Sequence, residues 1–103
     1  MATRARRVVW TRRALDGLHE ILEFVSRDSP GGARALCASI LQSAATLSTL
    51  SERGRIIPEI GSSVIRETIV KRYRLIYEVR SDEVIILAVI HGARDFSRWR
   101  QEQ

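Results

Sequence analysis

A single cysteine, Cys37, leaves no partner for an internal disulfide in these 103 residues. That fits a reducing compartment and leaves stability to the apolar core. Histidine is nearly as scarce, with only His19 and His91. No zinc-ligand spacing can be assembled from them, so neither a metal nor a cofactor is expected. No apolar run approaches the roughly 18 residues a membrane span requires. The N-terminal Met1-Ala2-Thr3-Arg4-Ala5-Arg6-Arg7 is charged, with no apolar signal core before Thr11-Arg12-Arg13. A cytoplasmic protein without membrane contact is therefore expected. Repeats, linkers and low-complexity stretches are also missing, so residues 1–103 read as one domain. Its 45% apolar content is enough to fill a single core.

Lysine is almost absent, and here the composition turns informative. Of the 17 basic residues only Lys71 is a lysine, and 12 acids leave a net charge of +5. The planar guanidinium fork suits bidentate contacts to carboxylate or phosphate. Such an excess fits an acidic partner, either nucleic acid or protein. Codon bias toward arginine together with ordinary solubility is the plainer explanation.

Along the chain, Val8-Val9-Trp10 is a short apolar run suited to a first strand. Thr11 then offers a helix N-cap. Ala14, Leu15, Leu18, Ile21, Leu22 and Val25 follow on one helical stripe, with Asp16, Glu20, Glu23 and Arg27 opposite. Gly17 weakens this helix through its backbone entropy. At Asp28-Ser29-Pro30 the helix breaks and restarts, with Ser29 as N-cap and Pro30 at the first helical position. Ala33, Leu36, Cys37, Ile40, Leu41, Ala44, Leu47 and Leu50 make a second stripe, which predicts an antiparallel helical hairpin. Residues 51–55 and 58–61 carry loop signals. Three β-rich runs then follow, Val64–Val70, Tyr73–Arg80 and Val84–Ile90, separated by Lys71-Arg72 and Ser81-Asp82-Glu83. In the second run Tyr73, Leu75, Tyr77 and Val79 face one way, while Arg74, Ile76 and Glu78 face the other. The third is apolar on both faces, which marks a central strand. The order β-α-α-β-β-β predicts an α+β fold, its N-terminal strand and helical hairpin packed on a small, mainly antiparallel sheet.

On that topology a set of short motifs falls in a fixed order. They are Ser29-Pro30, Gly54-Arg55, Pro58-Glu59, Arg66-Glu67, Tyr73-Arg74-Leu75-Ile76-Tyr77 and His91-Gly92-Ala93-Arg94-Asp95. Together, from Trp10 to Asp95, this string resembles the RelE/ParE superfamily of toxins from type II toxin–antitoxin systems, and the ParE branch most. The resemblance implies a cognate antitoxin that wraps the toxin with an extended or helical acidic segment. It also implies growth inhibition and a part in plasmid stabilization. ParE-like members poison DNA gyrase, whereas RelE-like members cut mRNA on the ribosome. The shared fold does not choose between these targets.

An RNA-cutting member must deprotonate a ribose 2′-OH, protonate the leaving oxygen and stabilise charge on the phosphate. By resemblance, Arg74 and Arg94 would hold the phosphate, and Glu59 and His91 would supply base and acid. Two departures count against this. Ile65, Arg66, Glu67 and Thr68 stand where such nucleases carry lysines, and no tyrosine follows Tyr77. Arg66, Arg74, Arg94, Arg98 and Trp99 are the candidate contacts to target or antitoxin. Quieter roles are open for each. Arg66 and Glu67 can pair with cross-strand charges, Arg74 with Glu59 or an antitoxin carboxylate, and His91 with backbone. In the tail Arg94-Asp95-Phe96-Ser97-Arg98-Trp99-Arg100, aromatics interleave with arginines. That pattern suits either an anionic partner or a terminal turn whose Phe96 and Trp99 cap the sheet. Three functions are thus carried forward: gyrase poison, ribosome-dependent endonuclease and non-toxic binding module.

Overall fold

A computed structural model describes residues 5–92 and 96–102. Strand β1 (Arg7–Trp10) leads into helix α1 (Arg12–Asp28) and helix α2 (Pro30–Thr46). A short β2 (Arg55–Ile56), then β3 (Ile65–Val70), β4 (Tyr73–Val79) and β5 (Glu83–His91) complete the sheet, and helix α3 (Phe96–Gln101) follows. The sheet order is β1-β5-β4-β3-β2. Among the described residues only β1 and β5 run parallel; the other three pairings are antiparallel. The α+β arrangement expected from the sequence is the one found. The last strand does lie inside the sheet, between β1 and β4. β2 corrects the loop expected from the signals at residues 51–55: Arg55 pairs with Glu67, and Ile56 pairs with Arg66. Two residues are too few to show a β period, so this strand comes from tertiary pairing.

Local chemistry sets the helix limits. Thr11 Oγ1 accepts from the Ala14 N–H at 3.0 Å and donates to the Ile86 carbonyl at 3.0 Å. One hydroxyl therefore caps α1 and fastens its start to β5. Ser29 closes α1 through its N–H to the Val25 carbonyl and opens α2 by accepting from the Gly32 N–H at 2.9 Å. Pro30 stands first in α2, where its missing N–H loses nothing. With a single residue between them, the helices fold back on each other as the predicted hairpin.

The hairpin buries Ala14, Leu18, Leu36, Ile40 and Ala44 against Leu75, Tyr77, Val84, Ile86 and Val89 of the sheet. Gly17 has a role beyond weakening the helix: a Cβ there would sit 3.1 Å from the Val89 carbonyl oxygen. Its absence lets α1 run close to β5. The predicted stripes were too wide at their margins, since Leu15, Leu41 and Leu50 are 45%, 45% and 54% exposed. The opposite sheet face holds a second, smaller cluster of Ile57, Ile76, Ala88, Phe96 and Trp99. Helix α3 thus covers part of the face that the hairpin leaves bare. Among the described residues no helix is long and apolar enough to cross a membrane, and no group of histidine, cysteine and carboxylate residues is placed to hold a metal.

Candidate functional site

The charged residues of β3 and β4 meet on the α3 side of the sheet. Lys71 and Arg72 turn the chain, with Lys71 at φ 56°, and Val70 then pairs with Tyr73 and Ile69 with Arg74. Because side chains alternate across a strand, Glu67, Ile69, Arg74 and Ile76 share one face. Arg74 donates from Nε to Glu67 Oε1, and Arg55 donates from Nε to Glu67 Oε2 at 2.6 Å. The Glu67 side chain is 1% exposed and that of Arg74 8%, whereas Arg55 keeps 66%. The Arg74 guanidinium also lies 4.3 Å from the centre of the Phe96 ring, a cation–π contact strengthened by burial. Burial alone would raise the Glu67 carboxyl pKa. The hydrogen bonds and charges of Arg74 and Arg55 outweigh it and hold the group below its ordinary value. Around this triad opens a hollow of about 470 Å³, lined by Arg55, Glu59, Glu67, Ile69, Lys71, Arg72, Arg74 and Gly92.

The described residues singled out in the sequence fall into separate groups: Glu59 and Arg74 line the hollow, His91, Arg98 and Trp99 line another groove, and Arg66 lines neither. Glu59 is exposed and lines the hollow, and its carbonyl accepts from Arg100. The partner of Arg74 is Glu67, not Glu59. His91 lies in a different groove of about 320 Å³, between α1, the end of β5 and α3. There its ring meets Tyr73 edge-on at 5.5 Å. Its Nδ1 makes no hydrogen bond among the described residues, so the expected backbone contact is absent at that atom. Arg98 and Trp99 line the same groove. Arg98 is exposed and pairs with Glu102 at 3.7 Å, while Trp99 packs inward with only 6% exposure. The capping role weighed for Phe96 and Trp99 is the one the structure adopts. Arg94 lies outside the described residues.

Arg66 faces away from the hollow. It donates to the Gly54 carbonyl at 2.9 Å and to the Glu52 carbonyl at 3.4 Å, so the cross-strand pairing considered for it is made by Glu67 alone. Beside it the Tyr77 hydroxyl, fully buried, accepts from the Gly54 N–H at 2.8 Å. Burial raises the Tyr77 pKa, outweighing that bond and the nearby Arg66 and Arg53 charges. A Cβ on Gly54 would fall 2.4 Å from the Glu67 carbonyl oxygen and 2.5 Å from the Tyr77 hydroxyl. Sequence reasoning missed the Arg55–Glu67–Arg74–Phe96 stack, although a two-residue turn at 71–72 sets the register that brings Glu67 and Arg74 to one face. The contribution of Phe96 carried no such signal.

A small mixed sheet carrying a helical hairpin on one face, with a short helix and arginines on the other, matches the architecture expected for the RelE/ParE superfamily. The model of the ParE toxin family of the type II toxin–antitoxin system parDE matches residues 8–96, and the chain belongs to that family. It is 33% identical over 88 residues to a toxin named RelE2 of Caulobacter vibrioides, covering 84% of this chain and 96% of that one. A solved structure of a chromosomal ParDE toxin–antitoxin system from P. aeruginosa superposes with a TM-score of 0.71. Its identity is 20%, and 86% of this chain and 98% of that one are covered, so it supports the fold. As a type II toxin, the protein has an antitoxin partner.

Proposed function

We propose that this toxin arrests growth in the cytoplasm by binding and poisoning DNA gyrase, not by cutting RNA. The observation that carries this reading is the state of Arg74. A phosphate-stabilising arginine must present its donors to substrate, and this one is buried, bonded to Glu67 and stacked on Phe96. Among the described residues the remaining groups give no alternative centre. Glu59 and His91 line different cavities, so a general base and a general acid do not face one scissile phosphate. Membership in the ParE family favours the same target. Poisoning by contact requires only a complementary surface, which the exposed arginines, Arg98 among them, supply.

Two assays test the proposal. Added to a purified translation system with a reporter mRNA, the toxin is expected to leave protein yield intact. Added to purified gyrase and relaxed plasmid, it is expected to block supercoiling or trap cleaved DNA. Cutting of the mRNA at ribosomes would overturn the proposal in favour of the endonuclease, with Glu59, Arg74, His91 and Arg94 as the residues to substitute. A folded protein silent in both assays would also overturn it and mark a non-toxic binding module.

A further inference from the structure

We infer that the groove between α1, the end of β5 and α3 is the surface on which this toxin seats its protein target. Phe24 extends that surface, and the groove takes an arginine or lysine side chain of the target. This rests on the proposed mode of action, poisoning by contact with a protein.

Three observations converge there. First, Arg13, Gly17, Glu20 and Phe24 recur at helical spacing and share one side of α1. The first three line the groove. Phe24 stands a turn beyond, 67% exposed and the most open large apolar side chain among the described residues. A bare aromatic next to a hollow suits a protein surface, since a small molecule in the hollow would leave the ring in water. Second, Ile21, Ile90 and Trp99 give the groove an apolar lining, and its volume is about 320 Å³. Third, its charges are unbalanced. Two guanidiniums, Arg13 and Arg98, meet three carboxylates, Asp16, Glu20 and Glu102. Both arginines pair with Glu102, and Asp16 pairs with Arg12. Glu20 makes no ion pair among the described residues. His91, also in the lining, holds a buried Nδ1 that makes no hydrogen bond among them.

The uncommitted charge selects the partner. On a protein of net charge +5, this groove carries a carboxylate in excess. A nucleic acid or an acidic peptide would set like charge against Glu20. A second copy of the chain would bring its own positive excess. A cationic side chain of another protein suits what is there. Its charge meets Glu20, one N–H reaches the Nδ1 lone pair of a neutral His91, and its methylenes lie on Ile21 and Trp99. Apolar neighbours on the same partner cover Phe24. Arg98, whose side chain is 81% exposed, stays open to a carboxylate of that partner.

The test uses the full-length toxin against each purified gyrase subunit in turn, with binding read by biolayer interferometry. The natural toxin is expected to bind one subunit, and more weakly as salt rises. Glu20→Arg is expected to weaken binding by roughly tenfold or more, and Phe24→Ser severalfold. Both side chains are exposed, so the fold should stand, as a thermal melt would check. Arg34→Glu, an exposed change on α2, is expected to leave binding as it was. In cells both groove variants should lose growth arrest whichever protein is the target, while Arg34→Glu keeps it. Full arrest by the two folded variants would overturn the inference. So would tighter binding by Glu20→Arg, the sign of an acidic partner. Gyrase binding that ignores both substitutions would also overturn it and leave gyrase standing as the target. Loss of arrest in both variants, with no gyrase binding by the natural toxin, would instead overturn gyrase and uphold the surface.

Discussion

Glu67 is an ionised carboxylate with almost no contact with water, stabilised from two sides by arginines. Removing one member of such a buried set leaves the others uncompensated, which costs about 3–5 kcal/mol. Glu67→Gln is expected to lower stability by that order, read as a shift in the urea midpoint. Replacing Glu67 and Arg74 together with apolar side chains of similar size should do far less damage. The depressed pKa gives a pH signature. As pH falls, the unfolded chain takes up its proton first, so the contribution is complete above the ordinary value of 4.5 and disappears through the lower folded value. Urea midpoints measured across that acidic window should therefore fall more steeply for the natural protein than for Glu67→Gln. Tyr77→Phe, which strands the Gly54 N–H, is expected to cost about 1–3 kcal/mol. A thermal melt with unchanged helical circular dichroism would check it. The strand alternation around Tyr73-Arg74-Leu75-Ile76 was readable because it depends on neighbours in sequence. The ring over Arg74 was not, because it comes from a residue 22 positions away.

At the level of elements, the legible features were those with local causes. Thr11 and Ser29-Pro30 cap and start the helices through side chains that bond within a turn, so their places could be read directly. Ser29→Ala is expected to cost about 1 kcal/mol in the denaturation midpoint, even though the residue is exposed. β2 was missed because the pairing with β3 creates it. Helix α3 is an intermediate case. Its aromatic and basic residues alternate in a way that suits either a partner or the sheet, and only the three-dimensional fit of Phe96 and Trp99 onto Ile57, Ile76 and Ala88 decides. Trp99→Ala opens that small core and is expected to cost about 3–5 kcal/mol. Calorimetry should show the loss as a lowered Tm. If α3 were a free arm, the melt would not move.

For the whole molecule, the ordered motif string marked the superfamily because fold and motif spacing are set together. The target was not readable, because one scaffold supports two unrelated modes of attack. Induced alone in bacteria, the toxin is expected to stop growth, and co-expression of its antitoxin to restore it. A colony count before and after induction decides. The parallel pairing of β1 with β5 has a further consequence, for the order of folding. Arg7 lies beside Glu83, 76 residues later, so the first strand made waits for the last before it can be paired. The helical hairpin closes early on local contacts, while the sheet against which it packs is still incomplete. A ribosome building this chain thus carries an unfinished sheet for most of synthesis. Assembly of the complete toxin surface is deferred to the closing of one long loop.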